Sequence, residues 1–298
     1  MVSPWIKAIR LRTLPLAWAS LTMGAILAYM DGFFNWLIYG LSLATAFSLQ
    51  ILSNLANDYG DAASGLDGES RVGPSRTIQE GLITKSQMKR AIAFMAVLSF
   101  GLGLSLIYLA FGDWRLILAF LILGLLSIWA AVKYTMGDNP YGYSGWGDFF
   151  VLVFFGWVGV SGSHFLYSEG FDWLNLLPAT TLGLLAVAVL NVNNIRDIES
   201  DKASGKYSIP VRIGRKNAVI YHGLILISAM GSMTYFAFIA DFTRWQWLFL
   251  AVVPLLIINW EAVKKHDDPR KLDPFLKQMA LTTLLFVVLF FLGNVSFG

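Results

Sequence analysis

Mainly apolar stretches of about 20 residues recur along the whole chain, and this pattern leaves few folds open. They run over about 14–30, 36–56, 90–111, 115–133, 148–168, 174–193, 217–239, 245–263 and 279–297. A helix of that length crosses the hydrocarbon of a bilayer with its backbone polar groups satisfied internally. The breaks hold good turn formers: Asp31-Gly32, Gly112-Asp113, Asp138-Asn139-Pro140 and Asp267-Asp268-Pro269. Only 14% of the residues are charged, well below the roughly 25% of a typical soluble chain. The expected fold is all-α, a polytopic membrane helical bundle of about nine transmembrane helices in one domain, 1–298.

Charge predicts the orientation. Of the 22 Lys and Arg, all but Arg115 and Arg244 fall on one side: at Lys7, Arg10 and Arg12, at Lys133, and in the loops 57–90, 194–216 and 264–277. The positive-inside rule then puts the N-terminus in the cytoplasm and the C-terminus outside, which needs an odd number of spans. Met1 to Thr13 carries no small-residue cleavage site, so the first span is expected to be retained in an inner (cytoplasmic) membrane. The pI near 9.0 does not imply nucleic acid, because the basic residues are dispersed between apolar spans. The absence of cysteine excludes thiolate metal sites and cysteine nucleophiles.

Against this apolar background two polar clusters stand out. One is Asn54-Leu-Ala-Asn57-Asp58-Tyr-Gly-Asp61, with Asp67 beyond it, at the end of the second span. The other is Asn193-Asn194-Ile-Arg196-Asp197-Ile-Glu199-Ser-Asp201, at the end of the sixth. Both face the predicted cytoplasmic side. If the second helix continues through Asp61, then Asn54, Asn57, Asp58 and Asp61 share one face; Asn193, Asp197 and Asp201 follow at successive i,i+4 positions. Four to five converging carboxylates repel one another unless cations lie between them. Oxygen-only ligation suits Mg²⁺, which bridges to substrate phosphates. With three histidines and no cysteine, zinc or copper fits poorly. The alternative is a set of solvated acids capping helix ends.

Each cluster is followed by cations, Arg71 and Arg76 after the first and Lys202 and Lys206 after the second. Metal-bridged acids followed by Lys and Arg suit a diphosphate, whose oxygens both kinds of cation neutralise. Lys133 and the aromatics Tyr134 and Tyr141 sit in another loop on the same side. They are candidates for diphosphate and for an aromatic acceptor, although a snorkelling lysine and interface tyrosines explain them as well.

These motifs resemble the UbiA superfamily of intramembrane prenyltransferases. The stretches Leu49 to Asp61, Arg71-Val-Gly-Pro-Ser-Arg76, Lys133 to Asp148 and Gly205-Lys206 to Arg212-Ile-Gly214 look like its 1,4-dihydroxy-2-naphthoate branch. In many hydroxybenzoate relatives the last aspartate of the first motif comes four residues after the middle one. Gly65 holds that position here, and the next acid is Asp67. The resemblance implies nine transmembrane helices, with Mg²⁺ and a prenyl diphosphate held by two aspartate-rich motifs, here 54–67 and 193–206. The implied reaction moves a polyprenyl group from polyprenyl diphosphate to 1,4-dihydroxy-2-naphthoate with loss of CO₂, giving a demethylmenaquinol. It assigns metal to Asp58, Asp61, Asp67, Asp197 and Asp201. Asn57 joins the catalytic set and, with Arg71, Arg76, Lys133, Lys202 and Lys206, the diphosphate set. The acceptor set is Asn54, Tyr134, Tyr141, Asn193 and Asn194.

Two other readings stay open: another aromatic acceptor such as 4-hydroxybenzoate, and a cation-coupled transporter, which would place its ionisable groups nearer the midplane. Several signals are set aside. His164 lies far from both clusters; His222 and His266 read as ordinary helix-start and loop residues. Arg10 and Arg12 read as orientation charges, Asp148 as a helix N-terminal charge, and Gly101 and Gly103 as aids to close helix packing.

Overall fold

A computed structural model describes residues 3–64, 77–137 and 140–295, and among them every regular element is helical. Nine of the described helical segments are long and apolar enough to cross a membrane, as the apolar runs predict. In chain order the helices are α1 (Pro4–Ile9), α2 (Leu14–Met30), α3 (Trp36–Ser64), α4 (Lys85–Ala110) and α5 (Trp114–Lys133). They continue as α6 (Gly147–Ser168), α7 (Leu176–Arg196), α8 (Ile198–Ala203), α9 (Ile209–Ile239), α10 (Arg244–Lys265) and α11 (Asp273–Val295). Asp67, Arg71 and Arg76 lie outside the described residues, as do Asp138 and Asn139.

Local chemistry explains where helices exceed the apolar runs. α3 runs past residue 56 to Ser64 because its polar last turns find partners in neighbouring segments. α4 starts at Lys85 behind a capping box of Thr84 and Gln87. α9 opens at Ile209, with Pro210 in its first turn, and kinks at Gly214, where φ is +77°. The middle of α6, Leu152–Gly162, is wound as a π-helix, a form frequent at functional sites.

Lipid offers no hydrophobic drive for helix association, so close contact and internal polar bonds hold the bundle. Gly183 of α7 faces α6, where an added Cβ would stand 2.8 Å from the Leu152 carbonyl oxygen and 3.1 Å from the Gly156 Cα. Gly183→Ala should therefore cost about 1–3 kcal/mol, read as a lower thermal midpoint in detergent. Gly101→Ala should instead raise the midpoint slightly, since no described neighbour lies within 4 Å of its Cβ position and alanine favours a helix by about 1 kcal/mol over glycine. That openness corrects the packing role expected for Gly101 and Gly103: neither sits at a close crossing. His222, expected at a helix start, is instead fully buried inside α9. It contacts Asn259 at 3.0 Å and Asn191 at 3.3 Å, tying α9 to α10 and α7. His164 pairs with Asp31 at 2.7 Å, joining α6 to the end of α2.

Candidate active site

The last turns of α3 present the first motif as an arc. Asn54 donates to the Ile9 carbonyl (2.8 Å) and to Thr13 Oγ1 (2.9 Å), clasping the joint between α1 and α2. Asn57 accepts from Thr135 Oγ1 at 2.9 Å. The next residue, Asp58, accepts from Arg10 Nη2 (3.0 Å) and Thr77 Oγ1 (2.8 Å). Asp61, three residues later, accepts from the Tyr143 hydroxyl at 2.5 Å.

The second motif is bent rather than one continuous face. α7 ends at Arg196, and Asp197, at φ −99° and ψ 10°, joins it to the short α8. The Asp201 amide still bonds the Asp197 carbonyl at 2.8 Å, so i,i+4 proximity survives the bend. Arg196 grips Asp197 with a fork, Nε to Oδ1 at 2.8 Å and Nη2 to Oδ2 at 2.7 Å. Its Nη1 reaches Asp273 Oδ1 of α11 at 2.5 Å, and Nη2 also donates to Asn193 Oδ1 at 2.9 Å. Lys206 Nζ stands 2.9 Å from Asp201 Oδ2.

Asp58, Asp61, Asp197 and Asp201 are each between 2% and 8% exposed. Burial pushes the Asp201 carboxyl above the usual range, Lys206 draws it down, and the negative Asp197 and Asp61 push it up again. Asp61, Asp197 and Asp201 line one cavity, which brings the two motifs together although they lie far apart in sequence. Tyr134 is held protonated by burial and by Asp148, Asp61 and Asp201. Tyr141 is likewise pushed up, by burial and then by Tyr134.

These groups open into a cavity of about 480 Å³, within the size range of small-molecule sites. Its polar end is lined by Asn54, Asn57, Asp61, Asn193, Asn194, Asp197, Asp201 and Lys206. Tyr134 and Tyr141 also line it; their rings meet edge to face at 5.3 Å, and Tyr141 lies 4.0 Å from Phe150. The cavity continues along α3 to Ser42, between Leu106, Ile107, Phe120 and Leu166. From Asp61 to Ser42 that is roughly 28 Å at the helical rise. Asp58, Lys133 and Lys202 do not line it: Lys202 is exposed, and Lys133 Nζ lies 3.2 Å from the Cβ position of Gly137.

The UbiA prenyltransferase family model matches residues 17–294 of this chain, nearly its whole length. The chain belongs to the UbiA prenyltransferase family. Among its relatives is a 1,4-dihydroxy-2-naphthoate octaprenyltransferase of Escherichia coli (strain K12), 46% identical over 97% of this chain and 96% of the relative. Another, of Mycobacterium tuberculosis (strain ATCC 25618 / H37Rv), is 34% identical over 99% and 97%. A UbiA homolog from Archaeoglobus fulgidus, solved bound to DMAPP and Mg²⁺, shares the fold at TM-score 0.62 and 16% identity, covering 99% of this chain and 100% of that one. The apo structure of a UbiA homolog from Aeropyrum pernix K1 matches at TM-score 0.69 and 15% identity, over 94% and 97%.

Within this UbiA fold, several cavity residues carry no strong sequence signal. Arg10 and Arg12, expected as orientation charges, line the polar end, and Arg10 binds Asp58. Tyr143 belongs to the 133–148 stretch, yet it, not Tyr134 or Tyr141, donates to Asp61. Arg196 sits inside the second motif and also lines the cavity. Asp148 accepts from Tyr221 at 2.9 Å, which anchors the start of α6. Among the described residues, no three acidic or histidine side chains come close enough to share one ion. The donor set still fits Mg²⁺: its members are buried oxygens of negative charge, and Mg²⁺ commonly takes one or two carboxylates and completes its shell with water and phosphate.

Proposed function

We propose that this UbiA-family membrane enzyme transfers a polyprenyl group from polyprenyl diphosphate to 1,4-dihydroxy-2-naphthoate with loss of CO₂, yielding a demethylmenaquinol. One observation carries the reading: paired carboxylates and cations gather at one end of a cavity whose remainder is apolar. The naphthoate and prenyl substrates of the named relatives agree with it.

In this reading Asp61, Asp197 and Asp201 would hold Mg²⁺, helped by Asp58 through its pair with Arg10 and by Asp67, six residues after Asp61 in the sequence. When bound, Mg²⁺ supplies charge stabilisation to the departing diphosphate. Lys206, Arg10 and Arg12 line the same end and neutralise further oxygens. Lys202, exposed on α8, adds a further cation near the second motif, and Arg71 and Arg76, which follow the first motif in sequence, are proposed to add theirs. The allylic C–O bond breaks with its electron pair leaving on the diphosphate. The ring carbon bearing the carboxylate then bonds the prenyl carbon, and CO₂ departs from that carbon. Tyr134, Tyr141 and Phe150 present ring faces to the developing cation, and their bulk keeps water away. Asn193 and Asn194 offer hydrogen bonds to the acceptor. The positive-inside distribution of Lys and Arg supports a cytoplasmic N-terminus and a site on the cytoplasmic side of the inner membrane.

Membranes carrying the protein should form prenylated naphthoquinol and release CO₂ from dihydroxynaphthoate and a polyprenyl diphosphate. EDTA should abolish both, and added Mg²⁺ should restore them. Consumption of 4-hydroxybenzoate in place of the naphthoate would overturn the acceptor assignment, and full turnover in EDTA would overturn the metal.

A further inference from the structure

At three glycines on the cavity wall, an added Cβ would be crowded by none of the described residues. A Cβ at Gly124 of α5 meets nothing within 4 Å. At Gly103 of α4 it meets only Thr45 Cγ2, at 3.7 Å, and at Gly162 of α6 only Val158 Cγ1, at 3.8 Å. All three line the cavity. Gly159, also on the wall, differs: its Cβ position lies 3.0 Å from the Phe154 carbonyl oxygen and 3.0 Å from Ser20 Cβ. That glycine is required by packing, as Gly183 is.

Glycine inside a helix costs about 1 kcal/mol relative to alanine. Where no neighbour approaches, close packing cannot offset that cost. What the absent side chains leave is lumen, beside Leu106, Ile107, Phe120 and Leu123 in the apolar part of the cavity. Gly124 is nine residues before the end of α5 at Lys133, so it stands roughly 14 Å from the polar end. Gly103 lies seven residues before the end of α4 at Ala110, nearer the far end. A tail whose diphosphate sits at Asp61 and that follows the cavity towards Ser42 passes both positions.

We propose that Gly124 and Gly103, with Gly162 opposite, are specificity-determining residues that keep the lumen wide enough for a long isoprenoid chain. A side chain at either position would limit the length of tail admitted without touching the carboxylate end. This rests on the prenyl-transfer reading above.

The test compares Gly124→Leu and Gly103→Leu with wild type in membranes, using geranyl diphosphate and octaprenyl diphosphate as paired donors. The ratio of the two kcat/KM values cancels any difference in the amount of folded enzyme. That ratio should shift towards the short donor by on the order of tenfold or more, the scale on which apolar pockets discriminate by bulk. Gly124→Ala should shift it in the same direction by less. Gly101→Leu, on α4 but off the cavity wall, should not shift it. An unchanged ratio in both leucine variants would overturn the proposal, whether total activity falls or not. If wild type turned over neither donor, the prenyl-transfer reading itself would fail.

Discussion

Asp61→Asn and Asp197→Asn should each lower kcat by on the order of 10²–10³, the cost of removing one preorganised electrostatic group from a water-poor site. Both exchanges preserve shape: at position 61 an amide oxygen still accepts from Tyr143, and at position 197 it keeps one of the two arms of the Arg196 fork. What disappears is a unit of negative charge at the polar end of the cavity, and with it the attraction for a divalent cation. The Mg²⁺ concentration needed for half-maximal turnover should rise in parallel. Asp267→Asn is the matched control, because that carboxylate is solvent-exposed in a turn, pairs with Arg215 and does not line the cavity. Initial rates across a Mg²⁺ titration, on protein shown to be inserted and folded, decide the matter. Near-normal rates for either cavity variant would remove that aspartate from the site.

Arg196→Met should damage both stability and turnover. The guanidinium binds Asp197, Asp273 and Asn193 together, so it joins the end of α7 to the start of α11 and sets the bend into α8. Its removal leaves the buried Asp197 without its cation. Breaking a buried pair in this way costs about 3–5 kcal/mol; the lower end applies here because Asp273 is partly exposed and water can relieve it. The thermal midpoint in detergent should fall accordingly. Turnover should fall further than the loss of folded protein explains, since Asp201 depends on the same bend for its position. Arg196→Lys keeps one charge but cannot form the fork, and should fall between the two. A methionine variant with wild-type midpoint and wild-type turnover would show that Asp197 is positioned by something else.

Much of this was legible from residue pattern because membrane-spanning helices obey a strict rule. A backbone in hydrocarbon must bond to itself, so runs of about 20 apolar residues are helices wherever they occur. The nine runs from 14–30 to 279–297 accordingly match the nine membrane-length helices, α2 to α7 and α9 to α11, in number and order. The carboxylates also stood out, since acids at the end of an apolar helix are costly without a partner. Asn54, Asn57, Asp61, Asn193, Asn194, Asp197, Asp201 and Lys206 do gather at one cavity end.

Other features depend on contacts across the bundle, where sequence spacing carries no information. Arg10 and Arg196 look like any positive-inside arginines until the fold brings Arg10 to Asp58 and Arg196 to Asp273. Tyr141 and Tyr143 are two residues apart in one short turn, and only its conformation aims Tyr143 at Asp61 and Tyr141 at the Ala130 carbonyl. A glycine that permits a close helix crossing cannot be told from one that leaves a lumen open. Gly183 and Gly124 differ only in what stands opposite them. The helices, their order and the acidic groups that need a cation follow from the sequence itself, because the bilayer imposes those costs residue by residue. Which acid meets which cation, and where the wall stays open, was decided only in the tertiary structure, since those energies belong to pairs of residues that folding alone brings together.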